Sequence, residues 1–380
     1  MTDAREPAAA GNPASHPYAA RRRMIAEALS GRRLDALLVA LSPNLRYLSG
    51  FTGSNGYLLL SPERALLFTD PRYLLQARQE CLGAAGPSRA FEIRIAKGPL
   101  VPAVASAISR FRWRRIGYEP ARMTCDAFEA LKAKLPARAS LTAAGGWIES
   151  LRAIKSLAEI DLIRRSVVTN SRAFEQAAAR LRPGMKESDL AAEIEYRMRR
   201  LGAEKPSFET IVASGRRTAL PHAQPTAAQI VPESLVLVDM GSQQDGYCSD
   251  MTRMLFLGNP TPQVKRTYRA VLEAQLAAID AVRPGARTAD VDAAARSVLQ
   301  AHGLEEAFVH STGHGLGLEI HEPPRIGRRD KTRLAPGMAI TIEPGVYLED
   351  FGGIRIEDTV AVTAHGCEIL TPTPKELRIL

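Results

Sequence analysis

Short apolar runs separated by polar turns dominate the first half of the 380-residue chain. Four runs have the length and the Val, Leu, Ile and Phe content of strands: 35–41, 55–60, 64–70 and 91–96. From residue 101 the apolar positions (VPAVASAISRF) recur at the spacing of a helix. Strands that alternate with helices predict an α/β domain, which we place at residues 23–152.

A helix-start signal marks the boundary between two predicted domains. Ser156 is followed three residues later by Glu159, the pattern of a capping box, and a helical pattern then continues to about Leu181. We therefore place a second domain at residues 153–380, since the chain exceeds the usual length of one domain. Residues 1–22 are rich in Ala, Pro and Gly and contain no apolar segment, which predicts a disordered leader and not a secretory signal.

The second half of the chain contains a weak internal repeat. Residues 182–202 and 283–303 align without gaps, and both begin with Arg-Pro-Gly and end with Gly. Each copy follows a long helical pattern, and its Pro-Gly ends that helix before another begins. A strand-like segment and a pair of strands around a polar turn follow each copy. We therefore expect two helix–helix–strand–hairpin units that face each other across a cleft.

The first predicted hairpin (SLVLVDMGSQQDGYCSDMTR) carries one aspartate on each strand. A turn centred between Gln244 and Asp245 would place Asp239 directly opposite Asp250, with Cβ atoms about 4.5–5.5 Å apart. Two carboxylates at that distance repel each other unless a cation lies between them. The hairpin therefore predicts a cation site.

The second predicted hairpin repeats this arrangement with glutamates. Glu343 lies on one strand (MAITIEPG) and Glu357 on the other (GGIRIED). Pro344 directly follows Glu343, which puts this glutamate at a strand end or a bulge. If the two hairpins face each other, four carboxylates converge.

Histidines cluster in the loop between the hairpins (HSTGHGLGLEIHE), which contains His310, His314 and His321, while His222 lies in a loop of the first unit. Glycines flank His314 and let the backbone approach a site closely. Four carboxylates and one imidazole form a hard, oxygen-rich ligand set that suits Mn²⁺, Co²⁺ or Zn²⁺. Four negative charges balance two divalent ions, and two ions about 3.5–4 Å apart form a known hydrolytic unit. We therefore expect a dinuclear site.

Composition narrows the class of protein. The four cysteines contain no CxxC pair, which argues against a disulfide framework or a zinc finger and favours the cytoplasm. No apolar run reaches the roughly 20 residues that cross a bilayer. A formal net charge of +9 is one feature of nucleic-acid binders. The arginine clusters at 21–23 and 110–115 are scattered, however, and lack interleaved aromatic residues apart from Trp113, so we favour solvated helix faces.

At these residues the sequence resembles the pita-bread metallopeptidases, the superfamily of methionine aminopeptidase, prolidase and aminopeptidase P. The stretches VDMGSQQDGYCSDMTR, STGHGLGLEIHEPP, MAITIEPGVY and GGIRIEDTVAVT are similar to the family motifs and stand in the same order. The segment SPNLRYLSGFTGSNGYLLLSPERALLFTDPRY resembles the creatinase/prolidase-type N-terminal domain, which methionine aminopeptidases lack. The resemblance implies a mixed α/β (α+β) fold whose C-terminal pita-bread domain contains a pseudo-twofold repeat.

The resemblance also implies which residues hold the metals. Asp250 and Glu357 would bridge two divalent ions, Asp239 would hold one of them, and His314 with Glu343 would hold the other. All five ligand positions of the family are filled in this sequence. Creatinase-type relatives share the fold but lack these ligands, so a creatinase activity is disfavoured.

Further roles follow from the same resemblance. Glu343 would carry a proton from water to the leaving nitrogen. His222 and His321 would position the substrate and stabilise the oxyanion and the new amine. Arg355 would orient the bridging carboxylate of Glu357, two residues further along the strand, and His310 would lie near the specificity pocket.

The family usually cleaves the bond before a proline. We expect a homodimeric enzyme that acts on short Xaa-Pro peptides with two divalent ions, manganese first and cobalt or zinc as alternatives. Xaa-Pro aminopeptidase is preferred to Xaa-Pro dipeptidase (prolidase), on the appearance of the N-terminal domain and the short chain. A non-catalytic peptide- or nucleic-acid-binding module on the same fold is the remoter alternative, because the ligand set is complete.

Overall fold

The computed structural model describes residues 17–82 and 90–380. Its contacts divide the chain into two compact units, Met1–Glu149 (unit 1) and Ser150–Leu380 (unit 2). Most of the predicted leader, residues 1–16, lies outside the described residues, whereas residues 17–22 are helical. No helix in the described ranges is long and apolar enough to cross a membrane.

Unit 1 is built on one mixed sheet. Its described strands are β1 (Ala36–Val39), β2 (Gly56–Leu60), β3 (Ala65–Thr69), β4 (Phe91–Ile95), β5 (Arg115–Tyr118) and β6 (Ser140–Ala143), in the order β4-β3-β2-β1-β5-β6. β2 pairs antiparallel with β1 and β3, whereas the β1–β5, β5–β6 and β3–β4 pairs are parallel. The four strands expected from the sequence are confirmed. β6 was not predicted, because this mostly exposed strand has no apolar run.

Helices pack on this sheet. They are α1 (Pro17–Gly31), α2 (Ser42–Ser49), α3 (Leu74–Leu82), α4 (Leu100–Arg110) and α5 (Cys125–Lys134), and α6 (Trp147–Ala153) spans the boundary between the units. Val104 and Ile108 of α4 are fully buried against Leu38, Leu59 and Leu66 of the sheet. The apolar residues that recur at helical spacing from residue 101 thus form the buried face of α4.

Unit 2 repeats a helix pair. Its long helices are α7 (Leu157–Ala178), α8 (Glu187–Arg200), α9 (Pro262–Asp280) and α10 (Thr288–Ala301). The predicted capping box is confirmed, because Ser156 and Glu159 satisfy each other's backbone N–H groups at the start of α7. The repeat is also visible in the turns: Gly184 (φ 84°) donates to Ile230 O and Gly285 (φ 83°) donates to Leu334 O, both at 2.8 Å.

The described strands of unit 2 form small sheets around the helices. The strands are β7 (Lys205–Pro206), β8 (Ile211–Ser214), β9 (Ser234–Met240), β10 (Ser242–Gln244), β11 (Tyr247–Cys248), β12 (Met251–Leu257), β13 (Gly313–Gly315), β14 (Glu322–Ile326), β15 (Ala339–Ile342), β16 (Gly345–Leu348), β17 (Gly352–Arg355), β18 (Asp358–Val362), β19 (Cys367–Ile369) and β20 (Arg378–Ile379). Their sheet orders are β11-β10-β7, β20-β12-β9-β8, β14-β13-β15-β18-β19 and β16-β17. One core cluster contains Leu237 and Met254 of the first half together with Ile340 and Val360 of the second. The two halves therefore share a core.

Candidate metal centre and active site

The first hairpin carries Asp239 and Asp250 on one face, but not opposite each other. β9 pairs with β12 so that Asp239 lies opposite Thr252, and the predicted Asp239–Asp250 pairing is therefore wrong. The turn is formed by Asp245 and Gly246, both with positive φ (50° and 81°), as the favoured two-residue hairpin turn requires. Because Asp250 is two residues before Thr252 on its strand, both carboxylates still point to the same face.

The second hairpin places its two glutamates opposite each other. Glu343 directly follows β15 and Glu357 directly precedes β18. Ile342 pairs with Asp358, and the pairing resumes in the same register after Pro344, so Glu343 and Glu357 are partners across the hairpin. As the proline predicts, Glu343 lies at a break between two strands.

His314 projects from the middle of β13 toward these carboxylates. Its Nδ1–H donates to Gly315 O at 3.0 Å, which leaves Nε2 as the unprotonated nitrogen. Nε2 lies 3.5 Å from Asp250 Oδ2 and 3.6 Å from Glu343 Oε1. A Cβ at Gly313 would lie only 1.9 Å from Thr341 O, so glycine is required for this close approach of β13 to β15.

The carboxylates of this cluster fit a divalent cation. One oxygen each of Asp239, Asp250 and Glu357 is buried without a hydrogen-bond partner within the described structure. Asp250, His314 and Glu357 each offer a ligand atom, and these atoms lie within 4.8 Å of one another. Buried carboxylate oxygens without donors are costly unless a cation pairs with them. The donors are oxygen and imidazole nitrogen, which suits metals such as Mn²⁺, Co²⁺ or Zn²⁺.

Burial and mutual repulsion shift the pKa values of the same groups. Burial, with the charges of Glu357 and Asp239, raises the pKa of Asp250 well above its usual value. Burial raises the pKa of Glu343 to about 7 and lowers that of His314 to about 4. Metal ligands must be deprotonated, so a bound cation would compete with protons here.

Arg355 connects the two hairpins. It lies on β17, is fully buried, and donates from Nη2 to Asp239 Oδ2 at 2.6 Å. Its Nε donates to Thr252 Oγ1 at 3.0 Å, and the Thr252 hydroxyl donates to Glu357 Oε2 at 2.7 Å. Arg355 was expected to orient Glu357; in the structure it reaches Glu357 only through Thr252, while its direct carboxylate partner is Asp239.

Tyr347 extends this network to His310. Its hydroxyl accepts from Arg355 Nη1 at 2.6 Å and lies 2.9 Å from His310 Nε2. Because His310 Nδ1–H donates to Ser311 O at 2.8 Å, Nε2 accepts the tyrosine proton. Burial lowers the pKa of His310 to about 4, so this histidine is neutral. Sequence reasoning missed Thr252 and Tyr347, although they lie two residues after Asp250 and four residues after Glu343, two of the predicted ligands.

A cavity of about 820 Å³ is lined by all nine residues expected to form the site: His222, Asp239, Asp250, His310, His314, His321, Glu343, Arg355 and Glu357. His222 and His321 are exposed to it. The His321 ring stands perpendicular to that of His314, with 4.4 Å between centroids. Phe208, Ile211 and Pro324 supply apolar wall, so the cavity combines a polar base with apolar sides, as small-molecule sites do.

These groups define a metal-dependent hydrolase of the pita-bread fold. The chain belongs to metallopeptidase family M24, whose family model matches residues 161–364, and residues 21–154 match the creatinase/prolidase N-terminal domain. It is 36% identical over 356 residues to an Xaa-Pro dipeptidase of Pyrococcus horikoshii, covering 93% of this chain and 97% of that one.

Solved structures agree with this assignment. An Xaa-Pro dipeptidase from Bacillus anthracis superposes with a TM-score of 0.91 at 37% identity, over 96% of this chain and 100% of that one. An X-Pro aminopeptidase from Thermotoga maritima superposes with a TM-score of 0.85 at 34% identity, over 92% and 99%. The protein is therefore a hydrolase with relatives of both specificities.

Proposed function

We propose that the protein is an Xaa-Pro dipeptidase, which releases the two amino acids of a dipeptide with C-terminal proline. The observation that carries this is the near-complete match to the dipeptidases of Pyrococcus horikoshii and Bacillus anthracis. The sequence expectation of an aminopeptidase rests only on the appearance of the N-terminal domain and the short chain. The named relatives favour the dipeptidase.

An arginine side chain in the cavity wall supports the same choice. A dipeptide presents a free carboxylate next to the cleaved bond, and an arginine recognises a carboxylate well. Arg355 is occupied by Asp239, Thr252 and Tyr347. Arg325, which lies opposite His314 in the β13–β14 pair, also lines the cavity and is exposed. We assign Arg325 to the substrate carboxylate.

The other residues take the following roles. Asp239, Asp250, His314, Glu343 and Glu357 would hold two divalent ions, with Mn²⁺ as the first choice. When bound, such ions supply Lewis-acid polarisation of the scissile carbonyl and lower the pKa of water.

Proton transfer and substrate positioning fall to other groups in the cavity. Glu343, whose pKa is raised to about 7 by burial, accepts a proton from the attacking water at Oε1 and passes it to the proline nitrogen. His222 and His321 hydrogen-bond the substrate.

The length of the accepted peptide tests the proposal. We expect Ala-Pro to be hydrolysed, and Ala-Pro-Ala and Ala-Pro-Ala-Ala to be poor substrates, because the longer peptides move the carboxylate away from Arg325. Ala-Ala serves as the control for the proline requirement. Efficient release of alanine from the tripeptide would instead establish the Xaa-Pro aminopeptidase, the second candidate, which the likeness to the Thermotoga maritima enzyme supports.

A further inference from the structure

A buried group of charges lies behind the substrate side of the cavity. Arg152, on α6, donates from Nη2 to Glu322 Oε1 at 2.6 Å and to Glu319 Oε2 at 2.8 Å. Lys155, between α6 and α7, donates from Nζ to Glu322 Oε2 at 3.2 Å. The side chains of Arg152, Lys155 and Glu322 are 2%, 1% and 3% exposed. The guanidinium of Arg152 and the ammonium of Lys155 thus both donate to the buried carboxylate of Glu322.

The chain between residues 316 and 322 is folded around that carboxylate. Glu319 N donates to Glu322 Oε1 at 3.1 Å, and Gly317 N donates to Glu319 O at 3.0 Å. A Cβ at Gly317 would lie 2.7 Å from Glu322 Oε1, so the carboxylate occupies the space that a side chain would need. Cys248 N donates to Gly317 O at 2.7 Å and fixes the outer side of the turn.

This turn sets the distance between two site histidines. His314 precedes it and His321 ends it, directly before Glu322. Neighbouring residues in extended chain point to opposite sides, and here Glu322 is buried while His321 is exposed to the cavity. The Glu322 carboxylate and the His321 ring therefore project to opposite sides of the same short segment.

Lys155 is itself held at a defined place. Its N–H donates to Gly337 O at 2.8 Å, and a Cβ at Gly337 would lie 2.7 Å from Lys155 O. Gly337 stands two residues before β15, the strand that leads to Glu343. The backbone of Lys155 is thus fixed to the segment that leads into β15 and on to Glu343.

The two cations favour the charged form of the Glu322 carboxylate, although burial lowers the pKa of Lys155. Burial acts to raise the pKa of Glu322, but Lys155 and Arg152 outweigh it, and the pKa falls below the usual value. A buried ion pair of this kind is a weak source of stability, because apolar residues of similar volume often do as well. Its distinctive property is that two cations fix both oxygens of one carboxylate in position.

We propose that Arg152, Lys155 and Glu322 are positioning residues for His321, which they hold at the substrate through the turn 316–322. This rests on the proposed function of His321 in substrate binding. A group displaced by about 1 Å can cost on the order of 100-fold in rate. The cluster therefore affects the use of substrate while leaving metal binding unchanged.

The test is a double-mutant cycle between Lys155→Met and His321→Ala, with Ala-Pro as substrate. We expect Lys155→Met to lower kcat/KM about tenfold or more in the wild-type background. In the His321→Ala background the same change should cost less than about twofold, since the group it positions is gone. The control is Arg164→Met on α7, which breaks an exposed pair with Glu368 of β19 and should stay within about twofold of wild type.

Metal content and structure separate positioning from general damage. Lys155→Met should keep the wild-type metal content, and its crystal structure should show His321 displaced from the 4.4 Å ring spacing with His314. Should Lys155→Met fail to fold, Lys155→Met/Glu322→Gln, which removes both charges, replaces it in the cycle. Equal losses in the two backgrounds, or an unmoved His321, would overturn the proposal. An inactive wild type would refute the proposed function instead, and the position of His321 in the crystal would still decide the inference.

Discussion

Arg355 donates to Asp239 at 2.6 Å, although the two residues belong to different hairpins of the duplicated unit. Glu357 N also donates to Thr252 O at 3.2 Å between the same hairpins. Asp239 therefore has a cationic partner within the protein, whereas Asp250 and Glu357 have no ion pair with a lysine or arginine among the described residues. In the absence of metal, the charge of Asp239 is therefore compensated within the protein, whereas within the described part of the chain that of Asp250 is not.

This difference predicts opposite effects of two matched substitutions on the metal-free protein. Asp250→Asn removes a carboxyl whose ionised form is disfavoured by burial and by Glu357, Asp239 and Glu343, so the free energy of unfolding in EDTA should rise. Asp239→Asn leaves the buried guanidinium of Arg355 without its carboxylate and should lower that free energy by about 3–5 kcal/mol. Urea unfolding in EDTA measures both. The same sign for both variants would contradict the asymmetry.

Metal binding should also distinguish the two aspartates. Asp250→Asn should abolish the stabilisation that Mn²⁺ gives the wild type, because Asp250 lies within the ligand cluster with His314 and Glu357. Unfolding curves with and without Mn²⁺ measure this. If Mn²⁺ stabilised Asp250→Asn as much as the wild type, Asp250 would not be a metal ligand.

Arg355→Lys should weaken metal binding although it keeps the charge. One ammonium cannot reproduce the three directed contacts with Asp239, Thr252 and Tyr347. Loss of such an outer partner typically costs 10–100-fold in metal affinity, and we expect a loss of about that size by isothermal titration with Mn²⁺. Tyr347→Phe keeps the Arg355–Asp239 pair and is the control, so an equal loss in Tyr347→Phe would argue against Asp239 as the critical contact.

Arg325→Met should affect dipeptides according to their C-terminus. In the wild type, Ala-Pro should be a much better substrate than Ala-Pro-amide, because only the free acid has a carboxylate for the guanidinium. In Arg325→Met the two substrates should have similar kcat/KM values, with Ala-Pro reduced about tenfold or more. Steady-state kinetics on the four combinations give the answer. A variant that still prefers the free acid by the wild-type factor would exclude Arg325 from this role.

Glu187 should be needed for the loop that carries His222. Its fully buried carboxylate accepts from Ser214 N at 2.8 Å at one end of the loop and from Thr226 N at 3.1 Å at the other, and Arg217 donates to it as well. Glu187→Gln places an amide donor against these donors and should cost about 1–3 kcal/mol in stability.

The same substitution should reduce hydrolysis of Ala-Pro while metal content stays normal. Asp189→Asn, an exposed change two residues further along α8, is the matched control and should behave as wild type. Normal turnover in Glu187→Gln would show that the loop holds His222 without this anchor.

The sequence predicts the helices and strands well, because these depend on local pattern. The apolar runs of β1 to β4, the capping box at Ser156 and the duplicated Pro-Gly turns each follow from neighbouring residues. The register of the first hairpin could not be obtained in this way. Asp245 and Gly246 form the turn, and moving a turn by one residue changes which residues lie opposite while keeping the same face.

Contacts between distant segments are the part that the sequence does not show. Arg355 meets Asp239 across 116 residues of chain, and Arg152 meets Glu322 across 170. Nothing in the local pattern of Arg152 or Lys155 distinguishes them from the many solvated basic residues of this arginine-rich chain. Their partners appear only when tertiary packing brings them together.

We propose above all that hydrolysis depends on metal ions held by five residues: Asp239, Asp250, His314, Glu343 and Glu357. This dependence is tested most directly by measuring the metal content of the purified wild type together with hydrolysis of Ala-Pro, before and after exhaustive removal of metal. We predict two divalent ions per chain, loss of activity on removal, and recovery on addition of Mn²⁺. Full Ala-Pro hydrolysis by the metal-free protein would contradict a metal-dependent mechanism.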